Sequence, residues 1–339
     1  VSRKYKSGKH TFLWYLDGTV AIFAIAILVL NAGYGFEKTL LPLSAFAWKS
    51  RLFNSISSSA LGKVPLPLPY LYLDAFDVQF RNKGSGIFDY YLNGALSKQG
   101  WASYYWVALL LKTPIPLLLG GLAALVGVFR KDASAGERAL WIAPAIFMAA
   151  FTFFIRIDMG FRYLMPMTPF LIVLSAGVMS RAMEKRGARA AVAVIFCLWY
   201  ASSIFRTFGN GLAYFNEFAG GPAGGHRYLV ESNLDWGQNL IRLKKYFDEK
   251  RYREPYFVNN YGLAPPQIYG LNSYDAPCRP VEGIVAISVN YLKGVDPMRN
   301  RGRDCFRWLS RYEPEAVIGH GIYVYDTRAR DVSRNDNPN

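Results

Sequence analysis

An α-helical membrane bundle of about five transmembrane helices, followed by a C-terminal external α/β domain, is the architecture expected of this 339-residue chain. Five apolar stretches, at roughly 19–36, 103–129, 139–155, 164–180 and 190–206, approach the roughly 20 residues that cross a bilayer as a helix. Apart from one long loop at 37–101, the loops between them are short, and alternate ones carry lysine and arginine. The remaining 130 or so residues are polar, with helix- and strand-period patterns of their own. These observations give a transmembrane domain over 1–206, with a long external loop at 37–101, and a soluble domain over 207–339.

Charge placement predicts orientation. Arg3, Lys4, Lys6 and Lys9 precede the first stretch; Arg130, Lys131 and Arg138 lie between the second and third; Arg181, Lys185, Arg186 and Arg189 lie between the fourth and fifth. Positive loops stay on the cytoplasmic side, so the N-terminus is expected inside and, after an odd number of crossings, the C-terminal domain outside. The formal net charge of +15 follows the same logic. Residues 1–206 hold 22 basic against 9 acidic side chains, and residues 207–339 hold 17 against 15. An excess lying mostly in the membrane half argues against a nucleic-acid partner. Cys197 falls in the last apolar stretch. Cys278 and Cys305 fall in the external domain, where a disulfide can persist, and the sequence leaves open whether they pair.

Taken in order, the first stretch begins with a basic juxtamembrane segment in place of a signal peptide, as though the chain started at a cytoplasmic loop. In the long loop, Pro65, Pro67 and Pro69 forbid a helix over Val64–Tyr72. Its many aromatic residues predict short amphipathic pieces lying at the interface. The second stretch opens on Trp101, Tyr104, Tyr105 and Trp106, an aromatic belt. Lys112 followed by Pro114 and Pro116 predicts that 101–112 is a separate segment and that the crossing starts near Thr113. Pro166 and Pro169 mark a second broken entrance, after Arg162. Beyond 207, Leu234, Leu240, Ile241, Leu243 and Phe247 give helical spacing over 234–250. Strand-like runs follow at Tyr256–Asn259, Ile284–Val289, Ala316–Ile318 and Ile322–Tyr325, with a second helix at Asp304–Tyr312.

The candidate binding residues lie where cations meet the membrane edge. Lys112, Arg156 and Arg162 are placed to take a lipid phosphate, since guanidinium forks match phosphate oxygens in pairs. The simpler alternative is that Arg156 and Arg162 pair with Asp158 and anchor the loop. Asp158, Tyr163, Asp235, Trp236 and Gln238 are candidates for a substrate pocket, with Trp236 stacking on an apolar sugar face. Ser232 with Asp235 three residues later is equally a helix-start pattern. The three histidines have no metal-ligand spacing, and no nucleotide loop or nucleophile elbow is present, so no metal is predicted.

Several segments in this order carry a resemblance: Gly35-Phe36-Glu37, Pro65-Leu66-Pro67-Leu68-Pro69-Tyr70, Gly100-Trp101 and Leu110-Leu111-Lys112-Thr113-Pro114 in the first half. Phe161-Arg162-Tyr163-Leu164-Met165-Pro166, Leu212-Ala213-Tyr214-Phe215-Asn216-Glu217 and Ser232-Asn233-Leu234-Asp235-Trp236-Gly237-Gln238 continue it. Together they resemble the C-terminal half of bacterial membrane glycosyltransferases related to the protein O-mannosyltransferases and the lipid A aminoarabinose transferase. The resemblance implies a place in the bacterial cytoplasmic membrane, a polyprenyl-phosphate-linked sugar as donor, and a lipid or protein hydroxyl as acceptor on the outer face. It puts the catalytic aspartate in an N-terminal half preceding residue 1, so no catalytic residue is assigned within this chain. Membrane lipids, and the missing half or other membrane subunits, are the expected partners. The alternative is a non-catalytic scaffold subunit built on the same fold.

Overall fold

The computed structural model describes residues 8–82, 89–130, 134–154, 158–184, 187–262, 264–296 and 301–328. Arg3, Lys4, Lys6, Lys131, Arg156, Lys185 and Arg186 therefore lie outside the described residues. The chain divides into two compact units, Val1–Ser85 and Gly86–Asn339.

In the first unit, helix α1 (Gly8–Gly33) leaves Val20, Ile22, Phe23, Ile25, Leu28 and Val29 exposed. Among the described side chains, Asp17–Gly33 form an apolar helix. Asn31 closes α1 by donating to the carbonyls of Ile27 at 2.8 Å and Pro67 at 2.9 Å. The proline-rich run stays extended, pairing Pro42 with Pro65, and α3 (Tyr70–Asn82) begins directly after Pro69, with α2 (Arg51–Ser57) before it. Leu43, Trp48, Phe53 and Leu73 form the small core of this unit. The buried Asp77 carboxylate accepts the main-chain N–H groups of Lys49 at 2.6 Å and Ser50 at 2.8 Å, fixing the entry to α2.

The second unit opens with a hairpin, β1 (Tyr90–Leu92) and β2 (Ala95–Ser97), turned by Asn93 and Gly94 at φ of +50° and +86°. Asn-Gly is the pair that tolerates positive φ at both central positions of such a turn. Helix α4 (Tyr104–Lys112) meets α5 (Ile115–Val128) at an angle of 115° across Thr113-Pro114, because proline denies the helix an N–H there. Helices α6 (Ala135–Leu140) and α7 (Ile142–Ala149) follow, then a π turn at Ala150–Phe154. A 3-10 turn at Phe161–Met167 leads into α8 (Thr168–Glu184), and α9 (Ala188–Phe205) lies against it.

Part of the expected membrane bundle is visible among the described residues. Among the described residues, two segments, Phe161–Glu184 and Ala188–Phe205, are long and apolar enough to cross a membrane, or three if α4 and α5 count as one broken span. The stretch 139–155 is divided at Trp141 and ends in the π turn, leaving no piece of sufficient length among the described residues. Val192, Val194, Ile195, Leu198 and Phe205 stay exposed along α9, as lipid-facing side chains would. Helices α5 and α8 approach closely at Gly120, where a Cβ would collide with Ser175, the small-residue contact that lets membrane helices pack.

After one-turn α10 (Gly221–Gly224), α11 (Leu240–Lys250) covers a five-stranded sheet, and the one-turn α12 (Val289–Leu292) continues from the end of its central strand. The strands are β3 (Tyr256–Asn259), β4 (Ser273–Tyr274), β5 (Ile284–Ser288), β6 (Ala316–Ile318) and β7 (Ile322–Asp326), in the order β4-β3-β5-β7-β6. Strand β3 runs parallel to β4 and β5, and β7 antiparallel to β5 and β6. Central β5 is buried throughout. Ile284 and Ala286 face α11, while Val285 and Ile287 face Cys305, Phe306 and Leu309. Leu240, Leu243 and Phe247 of α11 are fully buried, and each such side chain contributes about 1.5–3 kcal/mol. The helix expected over 304–312 is one 3-10 stretch, Arg307–Arg311. Cys278 and Cys305 are joined as a disulfide.

The expected boundary at 206/207 is crossed by a single core. Leu111, Leu117, Leu164 and Leu171 from the helices pack in one cluster with Phe215, Leu229, Leu234 and Val289. The helices of this unit thus share an interior with the loops that lead to the sheet, while the sheet has a separate cluster on each of its faces.

Candidate functional site

Two loops, 158–163 and 231–236, are laced side by side. Ser232 Oγ donates to the Met159 carbonyl at 2.5 Å, and Asn233 Oδ1 accepts the Phe161 N–H at 3.0 Å. Asn233 Nδ2 donates to Tyr104 Oη and to the Val230 carbonyl, both at 2.9 Å. Asp158 Oδ2 accepts the Trp101 N–H at 2.6 Å. Gly160 sits at φ +112°, and a Cβ there would collide with Ser232 Oγ, so the lacing requires glycine. Ser232 therefore does not cap a helix. Helix α11 starts eight residues later, at Leu240, and residues 231–233 form a 3-10 turn.

The lacing sets Arg162 on an aromatic shelf. Its guanidinium carbon is 5.2 Å from the ring centroids of both Tyr163 and Trp236. Such contacts contribute about 0.5–1 kcal/mol each when exposed. Tyr261 meets Trp236 edge-on at 5.4 Å, and Trp236 remains 41% exposed. Among the described residues, no carboxylate forms an ion pair with Arg162, so its N–H donors can take an anion.

Glu231 begins the loop that carries Trp236, within electrostatic reach of Arg162. The residue is 4% exposed and its Oε2 has no hydrogen-bond partner among the described residues. Its main-chain N–H is held by Asn290 Oδ1, and its φ is +60°. A non-glycine residue in that region costs about 1–3 kcal/mol and persists only where the surroundings impose it. Burial lifts the Glu231 carboxyl well above the usual carboxylate range; the charge of Asp158 pushes the same way and that of Arg162 opposes it. Tyr90 is pushed up to about 12, first by burial and then by Asp158 and Glu231. Asp158, Arg162, Glu231, Tyr90 and Tyr261 thus share one electrostatic neighbourhood.

The remaining residues singled out by the sequence find different places. Lys112 is buried, donating to the carbonyls of Leu212 at 2.7 Å and Asn233 at 2.8 Å, with Nζ 4.4 Å from the Phe215 centroid. Two of the three ammonium N–H groups are thereby engaged by main-chain carbonyls. Lys112 supports the loop from behind while Arg162 faces out from it. Asp235 is completely buried: its Oδ2 accepts from Ser288 Oγ at 2.7 Å and its Oδ1 from the Gly237 N–H and Asn239 Nδ2, both at 3.3 Å. Burial raises its carboxyl above the ordinary value. It knits the loop to β5 and is not open to a ligand. Gln238 shapes the turn under Trp236, its Oε1 accepting the Trp236 N–H at 2.6 Å and its Nε2 donating to the Leu234 carbonyl at 2.9 Å. Arg156 lies outside the described residues.

Glu231, Asn233, Tyr90 and Tyr261 were not foreseen. Nothing in the spacing marks a buried glutamate with positive φ, although the concentration of polar residues over Glu231–Asp235 pointed to the segment. Among the described residues, no group of three or more His, Cys, Asp or Glu side chains is placed to hold a metal ion. The arrangement brings together an exposed guanidinium at the start of an apolar segment, a flat aromatic face and the carboxyl groups of Asp158 and Glu231. No protein-family model, curated protein or solved structure matches this chain.

Proposed function

We propose that the chain works as the C-terminal part of a glycosyltransferase that moves a sugar from a polyprenyl-phosphate carrier to a lipid or protein hydroxyl. The observation that carries this reading is the position of Arg162. It occupies the first turn of the 24-residue apolar segment Phe161–Glu184, resting on Tyr163 and Trp236. A lipid phosphate lies at the level where a crossing helix begins, and a guanidinium there meets it with paired hydrogen bonds. Trp236 offers its exposed face to the apolar side of a sugar ring. The Cys278–Cys305 disulfide supports an external, oxidising location for the sheet, on the periplasmic side of a bacterial cytoplasmic membrane.

In this reaction the acceptor oxygen forms a bond to the anomeric carbon and gives its proton to a base. The bond from that carbon to the phosphate oxygen breaks, and the electron pair leaves with the lipid phosphate. Arg162 stabilises the charge that gathers on the departing phosphate, the kind of contact that strengthens in the transition state. The test is transfer from radiolabelled polyprenyl-phosphate sugars in membranes carrying the protein. Arg162→Ala is expected to lower turnover about 100-fold or more, with the thermal transition unchanged. Equal turnover in the variant would remove the reading.

A further inference from the structure

We propose that Glu231 is a second ligand-binding residue of this site, taking a sugar hydroxyl of the lipid-linked donor through its unpartnered carboxyl oxygen. The inference rests on the glycosyltransferase reading and adds to it the residue that recognises the sugar, as distinct from the phosphate.

Three independent features of the molecule converge on it. First, Oε2 is buried without a partner among the described residues, in a unit where Asp235 and Asn233, on the same loop, have their side-chain polar atoms satisfied. A buried polar atom left unpaired is costly, and a ligand group that arrives later is one way of satisfying it. Second, the backbone is held at φ +60°, a conformation glutamate rarely adopts, by Asn290 on one side and by the N–H groups of Leu234 and Asp235 at 3.0 and 3.1 Å on the other. The fold thus maintains a strained residue at this position. Third, the neighbours are those of a sugar site: Trp236 is half exposed beside Tyr261, and Arg162 lies over Trp236. Asp158, one loop away, contributes a second carboxylate whose oxygen is engaged by Trp101.

Burial and the Asp158 charge both favour the neutral form of the Glu231 carboxyl. A neutral carboxyl both gives and accepts a hydrogen bond, and so matches a hydroxyl, which does the same. An ionised group at that depth would instead demand a cation. A pyranose or furanose hydroxyl is accordingly the class of ligand that fits, with the phosphate on Arg162 and the ring against Trp236.

Binding of two probes to the full protein in lipid nanodiscs tests the inference: a short-chain polyprenyl phosphate, and the same lipid bearing a hexose or pentose. Glu231→Asn keeps a residue that tolerates positive φ but withdraws the carboxyl. It is expected to weaken the glycosylated lipid about tenfold, as loss of one or two hydrogen bonds would, and to leave the sugar-free lipid unchanged. Glu231→Gln, which retains a donor and an acceptor at the same reach, is expected to stay within about threefold of wild type. Equal affinities of Glu231→Asn and wild type for the glycosylated lipid, or an equal loss on both probes, would overturn the inference while leaving the function intact. Failure of the wild type to bind either lipid would overturn the function and this inference with it.

Discussion

Lys112 Nζ donates to the main-chain carbonyl of Asn233 at 2.8 Å, tying the end of α4 to a loop 121 residues further along the chain. The same ammonium holds Leu212, so one buried cation joins the broken helix to the two segments that lead into the sheet. Asn233 then carries the link onward to Phe161, next to Arg162. The site is positioned by this relay more than by any single element.

Lys112→Met should therefore act on stability. Methionine fills the stem's space but leaves two buried carbonyls without their charged donor. A loss of about 2–4 kcal/mol is expected, read as a lowered thermal transition in detergent. Affinity for a sugar-free polyprenyl phosphate, measured below that transition, should stay within about twofold if the ammonium touches no ligand. A large loss of phosphate affinity with unchanged stability would return Lys112 to the role its position in the sequence first indicated.

Gly160 offers a second, purely steric test. Alanine there would meet both an unfavourable φ of +112° and the Ser232 hydroxyl. A destabilisation of about 1–4 kcal/mol is expected, with loss of sugar transfer because Arg162 lies two residues away. Adding Ser232→Ala should recover only the steric part of the loss. Complete recovery in the double variant would show that backbone strain contributes nothing.

The buried glutamate makes stability depend on pH. Its folded-state carboxyl titrates above the ordinary glutamate value of 4.5. Between those two values the native state binds more protons than the unfolded chain, so stability falls as pH rises, by at most about 1.4 kcal/mol per pH unit from this group. The contribution is complete below 4.5 and is lost as pH climbs through the raised value. Asp235 titrates in the same direction, so wild type and Glu231→Gln should be compared in one series. The amide variant should lose less stability than wild type on the alkaline side. Parallel curves for the two proteins would place the Glu231 carboxyl in water.

The local chemistry of proline and the two-residue strand period were legible in the sequence. The break at Thr113-Pro114 and strands β3, β5, β6 and β7 lie within a residue or so of their expected places, because each is set by neighbours along the chain. The Asn93-Gly94 turn carried an equally local signal, and the hairpin it makes went unrecognised amid a run of aromatic residues. The number of helices able to cross a membrane was only partly legible. Hydropathy counts apolar residues without saying whether they meet lipid or protein: Leu111 and Leu117 pack inside a core that also holds Phe215 and Leu234. The site was half legible. Arg162 and Trp236 stand out as a cation and an exposed ring. Whether a carboxylate is structural or open depends on contacts such as Ser288 on Asp235, 53 residues away, that spacing does not reveal.

The disulfide offers a last test, independent of the helices. Cys278 and Cys305 are 27 residues apart, and a covalent loop of that size stabilises a domain by roughly 3–4 kcal/mol through the unfolded chain. Cys305 also packs with Phe306 and Leu309 against Val285 and Ile287, the face of β5 opposite α11. Replacing both cysteines with serine should lower the thermal transition of the sheet and raise hydrogen exchange at Val285 and Ile287. The next residue, Ser288, holds Asp235, so loosening of β5 should reach the loop that carries Trp236. Trp236 fluorescence, read in a background where the other tryptophans are replaced by phenylalanine, should then change before the main transition on heating. A change only at the main transition would mean that the loop is held by the helix-side core, through Leu229 and Leu234, and not by the sheet.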